Sequence, residues 1–406
     1  MIKGNFNAIV ILIASFFNFL GNGMHFVAIS WLAYETDKNP VTVGILVSLS
    51  VIPGIISSFF TGTVADRFDR KRILIYMDIF RGLVVLSLPL INLFSEVTLW
   101  YLYLVTILVT VGSNFFFPAL KGILKDVVHE DLFLRVVSAN STALQIGAIL
   151  GSGSAGFIIS YVSPYAVFVI DACTFLISAI LLSTLKYTKT SKIVETKNKV
   201  SFYTDFKEGI NYLFKRKILL FLYAMGFIPG VIFDVVNSLL SSYTDKSLGL
   251  GVKAYGILDS SFAVGSVIVG LYLVSFIKNK NAEYTIYKYS FIGIAISLLI
   301  ISIANNIYIG ILGLFLLGAT TMFESTSRRT LIIKNLDSDY IGRVESFYWI
   351  VLCAFTPVFS IISSFAASQF GSRVVFFTYS MILISLSFFN TKMIKLTENG
   401  MYRNSA

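Results

Sequence analysis

The sequence is short of the residues that do chemistry in water. It holds two cysteines, two histidines and 13% charged residues, where a soluble chain carries about a quarter. Cys173 and Cys353 both lie inside apolar runs, which excludes a disulfide framework and a metal-ligand spacing. They read as small buried hydrophobes. There is no G-x-x-x-x-G-K-[ST] phosphate pattern, and no long polar loop gathers the histidine, acid and cysteine of a membrane enzyme. The expectation is no enzyme, no cofactor and no metal.

What is abundant is apolar surface. Hydrophobic residues make up 56% of the chain and the mean hydropathy is +0.80, which belongs in a bilayer. The net charge of +10 does not point to nucleic acid. The basic residues sit in short turns between apolar runs, where membrane topology and anionic headgroups account for them.

Twelve such runs stand out, at about 8–34, 43–65, 73–94, 99–120, 138–161, 165–185, 218–242, 253–277, 287–305, 307–324, 344–368 and 373–392. They match the length needed to cross a hydrocarbon core of about 30 Å. The first is too long for a signal-peptide core and reads as a retained span. Ser163-Pro164 and Asn305-Asn306 mark two tight joints between adjacent spans. With the N-terminus inside, 27 Lys and Arg fall on the cytoplasmic side, four fall outside, and Arg81 lies within span three. That asymmetry predicts an even number of spans in a plasma membrane, with both termini cytoplasmic.

The stretch 186–217 divides the chain into six-span units, 1–185 and 218–406. Within it Phe202, Phe206, Ile210 and Leu213 recur at helical spacing opposite Asp205, Lys207 and Glu208, a pattern for an amphipathic helix on the interface. The two units echo each other. Gly44-Ile-Leu-Val-Ser48 returns as Gly256-Ile-Leu-Asp-Ser260, and Arg135-Val-Val-Ser138 as Arg343-Val-Glu-Ser346. The expected fold is an all-α membrane protein, with 12 transmembrane helices in two pseudo-symmetric six-helix bundles.

One charged knot, Asp66-Arg67-Phe68-Asp69-Arg70-Lys71-Arg72, interrupts spans two and three, with Gly62 four residues ahead of it. In this the chain resembles the major facilitator superfamily, whose loop between spans two and three reads G-x-x-x-D-R-x-x-R-K/R. Here the pattern stands as Gly62, Asp66, Arg67, Arg70 and Lys71. Within that superfamily the chain is similar to the macrolide-efflux-like branch of drug:proton antiporters. Asp205-Phe-Lys-Glu-Gly209-Ile-Asn-Tyr-Leu213, Pro118-Ala-Leu-Lys121 and Ser138-Ala-Asn140 carry that similarity. Span five keeps Gly147, Gly151 and Gly156 of the antiporters' G-x-x-x-G-P-x-x-G-G pattern, but has Ser152 for the proline and Ala155 for a glycine. Span four lacks the basic residue those antiporters often carry.

The resemblance implies a bacterial, monomeric secondary exporter. It would move a bulky amphipathic small molecule, such as a macrolide or another drug, by alternating access in exchange for protons. Export of a siderophore or other metal-chelating metabolite, and lipid translocation, are the alternatives. A chelator exporter would need several fixed cations facing its cavity, whereas the spans offer Arg81 and His25.

Charge inside a membrane is costly and points to a partner or a role. The knot is expected to act as a cytoplasmic gate, with Asp66 facing a helix N-terminus and Arg70 a carboxylate, rather than as a plain topological anchor. Asp234 in span seven is the first candidate for a protonatable carboxylate. His25 in span one stands near its equivalent position, and histidine ordinarily titrates near neutral pH; a packed His is the plainer alternative. Asp171 and Asp259 are further cavity candidates or vestibule residues. Asp78 and Arg81 are expected to pair with each other or with the knot, and Glu324 with Arg328 or Arg329. Gly147, Gly151 and Gly156 read as helix-packing positions.

Overall fold

The structure is a computed structural model that describes residues 6–128, 130–187, 210–276, 282–337 and 340–404. Twelve long helices follow one another: α1 Phe6–Asp37, α2 Pro40–Arg67, α3 Arg70–Asn92, α4 Leu99–Val127, α5 Glu130–Tyr161, α6 Pro164–Ser183, α7 Lys217–Ser242, α8 Val252–Phe276, α9 Ala282–Ile303, α10 Ile307–Asn335, α11 Ile341–Phe370 and α12 Ser372–Asn404. There is no strand among the described residues. Eleven helices are long and apolar enough to cross a membrane. The remaining one, α2, contributes the apolar stretch Pro40–Gly54 within a helix of 28 residues.

The helix boundaries have local causes. The Asp69 carboxylate accepts hydrogen bonds from Lys71 N at 2.8 Å and Arg72 N at 3.3 Å, so one acid of the knot is the N-cap of α3. Ser163 caps α6 by accepting from Ala166 N, with Pro164 in the first turn. Asn306 caps α10 by accepting from Ile309 N at 3.0 Å. The tight joint between α11 and α12 is Gly371, at φ +85°, a left-handed conformation that suits glycine. The end of α7 widens into a π-helical turn over Tyr243–Ser247.

Several helices outrun their apolar segments. The 29 residues of α4 span about 44 Å at about 1.5 Å each, against about 30 Å of hydrocarbon. Its last turns therefore carry Lys121, Lys125 and Asp126 beyond the core. Of the expected interfacial helix at 202–213, residues 210 onward are helical, and the rest lies outside the described residues.

Within the first six helices, α1 packs on α5 and α6, and α3 on α4 and α6. In the last six, α10 packs on α8 and α9, and α9 on α12. Between the two sets, α2 packs against α11 and α5 against α8. These pairs are equivalent under the sequence repeat, which matches the start of α2 to that of α8 and the entry of α5 to that of α11.

The cross-set contacts gather on the face with few basic residues, where α1 turns into α2. There Trp31 stacks on Tyr255 with ring centroids 5.8 Å apart. Tyr34 donates to Asp245 Oδ2 at 2.8 Å, and Lys38 Nζ lies 3.7 Å from the same oxygen. Lys253 sits 3.7 Å over the Tyr161 ring. Glycine allows α5 and α8 to touch: a Cβ on Gly156 would lie 2.6 Å from Val252 O, and one on Gly256 2.8 Å from Ser152 O. The glycine row of α5 is thus divided. Gly147 and Gly151 seat α5 on α1, while Gly156 seats it on α8.

On the opposite, basic face, three ion pairs among the described residues join neighbours within one set. Arg70 Nη1 meets Asp126 Oδ2 at 2.8 Å, Arg216 meets Asp337 at 2.8 Å, and Lys334 pairs with Glu283.

Candidate functional site

Two cavities adjoin, one between the helix sets and one within the first set. The larger, about 440 Å³, is bordered by Asp234 and Asn237 of α7, Asp259 and Phe262 of α8, and Gln145 of α5, with Phe26 and Ser50 facing them. Asp234 and Asn237, spaced i and i+3, share one face of their helix. Thr356 of α11 lies beside Asp234, and Ser152 of α5 beside Asp259. No Lys or Arg borders this cavity among the described residues. Its wall is acidic on the α7–α8 side, and aromatic and neutral on the side of α1 and α2.

The smaller cavity, about 350 Å³, lies within the first six helices and shares Phe26 and Ser50 with the larger. His25 and Asn22 line it from α1. Thr106, Thr110, Ser113 and Asn114 line it from α4. Those four positions recur at helical spacing as a polar stripe in an otherwise apolar run, a sequence signal that identifies this wall.

Behind the smaller cavity is a buried set of charges. Arg81 and Asp78 are both fully buried and pair with each other. Asn18 donates to Asp78 Oδ1 at 2.8 Å, and Arg81 Nη1 donates to Ser113 Oγ at 3.2 Å. The guanidinium is clamped between the Phe116 and Phe175 rings, 4.5 and 4.4 Å from their centroids. Its stem lies over Gly112, where a Cβ would come within 2.7 Å of Arg81 Cγ. Asp171 is buried next to this set, with Oδ2 3.0 Å from His25 Nδ1.

The last six helices carry a counterpart on the basic side. Arg328 pairs with Glu324 at 2.9 Å and its guanidinium lies 5.2 Å from the Tyr348 centroid. The Tyr348 hydroxyl donates to Gly226 O at 2.9 Å.

The structure therefore brings Asp234 and Asp259 together on one cavity and His25 and Asp171 together on another. Asp171 is fully buried rather than open to a vestibule. Asp78 and Arg81 pair with each other, away from the knot. For Arg70 the carboxylate is Asp126, on a neighbouring helix of the same set, with the Tyr187 hydroxyl on that same acid at 3.0 Å. Lys71 Nζ donates to Leu185 O at 2.8 Å. The side chains of Asp66 and Arg67 lie outside the described residues, as does the environment of Gly62. Sequence reasoning missed Asp126 and the Tyr34–Lys38–Asp245 cluster, whose partners are far apart in the chain.

The Major Facilitator Superfamily model matches residues 11–356. The chain belongs to the major facilitator superfamily. Its curated relatives are transporters. The staphyloferrin A transporter of Staphylococcus aureus is 27% identical over 407 aligned residues, covering 95% of this chain and 97% of that one. Macrolide efflux protein A of Streptococcus pyogenes is 22% identical over 87% of this chain and 88% of the relative. An uncharacterised transporter of this type from Bacillus subtilis, YfiS, is 30% identical over 203 residues, half of this chain and 48% of that one. Among solved structures, the nucleoside transporter NupG superposes with a TM-score of 0.77 at 14% identity, over 96% of this chain and 99% of that one. This major facilitator protein is thus a multi-pass membrane transporter of small molecules, not an enzyme. The cavity between the two helix sets, with the smaller one adjoining it, is the candidate transport site.

Proposed function

We propose that this chain exports a bulky, amphipathic, neutral or cationic compound from the cytoplasm, coupled to entry of protons. Residues 1–185 and 218–406 would rock as two bodies about the paired cavities, joined by 186–217, in a monomer. The observation that carries the reading is the larger cavity, with two carboxylates and aromatic walls and no described basic side chain. A wall of that kind attracts an amine and accepts an apolar body.

On the orientation predicted by the positive-inside count, the Tyr34–Lys38–Asp245 cluster and the Gly156–Gly256 crossing close the outer face, which makes this an inward-facing state. The knot would latch the opposite state. Asp234 would take the coupling proton in the apolar surround of α7, and Asp259 would serve the same cavity.

The likeness to a staphyloferrin transporter supports a second reading, export of a metal chelator. The acidic larger cavity opposes an anionic chelator, and Arg81 is buried against Asp78 rather than offered to cargo.

The test is intracellular accumulation of lipophilic amines, macrolides and anionic chelators in cells with and without the protein, repeated with a proton uncoupler. Amine or macrolide accumulation should fall with the protein present and recover with uncoupler. Asp234→Asn should abolish the gradient-driven component at unchanged protein level; full export by that variant removes Asp234 from coupling. Export confined to anionic chelators selects the second reading.

A further inference from the structure

A third recess, about 520 Å³, shares no lining residue with the two cavities. Leu150, Gly153 and Phe157 of α5 form one wall and Ile257 and Val264 of α8 the other, with Phe315 of α10 also bordering it. Leu150 and Phe157 are 51% and 44% exposed, so in a membrane the recess opens to hydrocarbon. The hydroxyls on its walls turn to main-chain carbonyls. Ser154 donates to Leu150 O at 2.6 Å, Ser260 to Gly256 O at 2.7 Å and Ser261 to Leu258 O at 2.6 Å. Such a groove offers little to a polar solute and suits a hydrocarbon chain.

One end of the groove carries a cation. Lys253 stands one helical turn before Ile257, and Tyr161 one turn after Phe157, so both continue the helix faces that line the groove. They meet there, with Lys253 Nζ 3.7 Å over the Tyr161 ring. This is where α5 ends and α8 begins, the depth at which tyrosine and lysine settle in a membrane interface. Other cations of that face are engaged: Lys38 meets Asp245, and Arg373 donates to Ser247 O at 2.8 Å. Lys253 enters no ion pair among the described residues. A cation at headgroup depth, next to a slot for hydrocarbon, complements the two ends of an anionic phospholipid.

We propose that the α5–α8 groove binds an anionic phospholipid, with its phosphate on Lys253 and Tyr161 and one acyl chain between Leu150, Phe157 and Ile257. The tyrosine hydroxyl donates to a phosphate oxygen while the ammonium offsets the negative charge. Because α5 and α8 belong to different helix sets, the lipid is a ligand of the state in which they cross. The site is separate from the cavities and needs no cargo.

The experiment is photo-crosslinking of the full chain in phosphatidylcholine vesicles. These carry a trace of phosphatidylglycerol or of phosphatidylcholine with a diazirine on one acyl chain, and adducts are mapped by peptide mass spectrometry. Adducts at Leu150, Phe157 and Ile257 are scaled to those at Val169 and Ile170, exposed apolar residues of α6 on the same side of the membrane. The phosphatidylglycerol probe should exceed the phosphatidylcholine probe in the groove by about fivefold, the effect of one lysine beside an anionic headgroup. Lys253→Gln should bring that ratio to about one, and Lys253→Arg should keep it. Ser154→Phe, which fills the groove, should lower the scaled groove adducts of both probes to the α6 level. Equal labelling of the groove by the two probes overturns the proposal. So does a preference that survives Lys253→Gln, or groove labelling that Ser154→Phe leaves unchanged. Because no cargo is used, a failed accumulation assay leaves this result standing.

Discussion

Gly156 is where α5 meets α8, and its replacement by alanine is the sharpest way to bias the transporter between states. The added Cβ would lie 2.6 Å from Val252 O and 3.3 Å from Gly256 Cα and N. Since ordinary contact begins at 3.4 Å, the two helices must part by about 0.8 Å or strain in place. Overpacking of this kind costs about 1–3 kcal/mol. It is paid only in the state that holds α5 against α8, so the balance should move about 5- to 150-fold towards the state in which they separate. Pulsed EPR reads this directly, with spin labels at Leu93 and Tyr308, which are 75% and 79% exposed on the face that is closed here. Cys173 and Cys353 would first be replaced by serine. Gly156→Ala should add a longer-distance population. Gly251→Ala, whose Cβ would meet nothing within 4 Å, should not. Unchanged distances in Gly156→Ala, or an equal change in both variants, would refute the reasoning.

Three other outcomes follow from the same contacts. Asp245→Asn weakens its links to Tyr34 and Lys38. It should move the same EPR distribution in the same direction but by less, at most about fivefold, because a part-exposed pair is worth about 0.2–1 kcal/mol. Combined with Tyr34→Phe, the two changes should be less than additive. Asp69→Ala removes the cap of α3 and should cost about 1 kcal/mol in detergent unfolding, while Asp69→Asn should cost far less; equal losses would mean the carboxylate acts through its charge. Asp78→Leu alone leaves the Arg81 guanidinium buried without its acid and should destabilise by about 3–5 kcal/mol, whereas Asp78→Leu with Arg81→Met should recover much of that. A double variant as unstable as the single one would show that the guanidinium between Phe116 and Phe175, not the pairing, holds these helices.

The spans were legible in the sequence because hydropathy over some twenty residues reports the bilayer directly. Helix ends were less so. The α4 helix continues through Lys121 to Val127, since backbone hydrogen bonding does not stop where hydrocarbon does. The tight joints were visible because Ser163 and Asn306 are caps, whose chemistry is local. Pairing across the chain was a different matter. His25 and Asp171 each stood out as a polar group in an apolar run, yet their meeting depends on Gly21 of α1, where a Cβ would collide with Asp171 Oδ1. Arg70 looked for a carboxylate, and the identity of Asp126 follows only from α3 lying on α4. By depth alone Asp259 read as either a cavity candidate or a vestibule residue. What places it on the cavity of Asp234 is the rotation of α8, set by glycine contacts with α5 and α10 together with Ser260 bonding to α5 and Ser266 to α10.

Phe26 and Ser50 border both cavities, and the Phe26 benzyl group is the bulkier of the two between the acidic chamber and the one lined by His25. Turning it between staggered positions is a side-chain event, far faster than the swing of whole helices. A compact molecule fits on one side of that door, and a long one lodges only when the door stands aside. Under the proposed function, any sorting of cargo by length would fall to that side chain rather than to the helices.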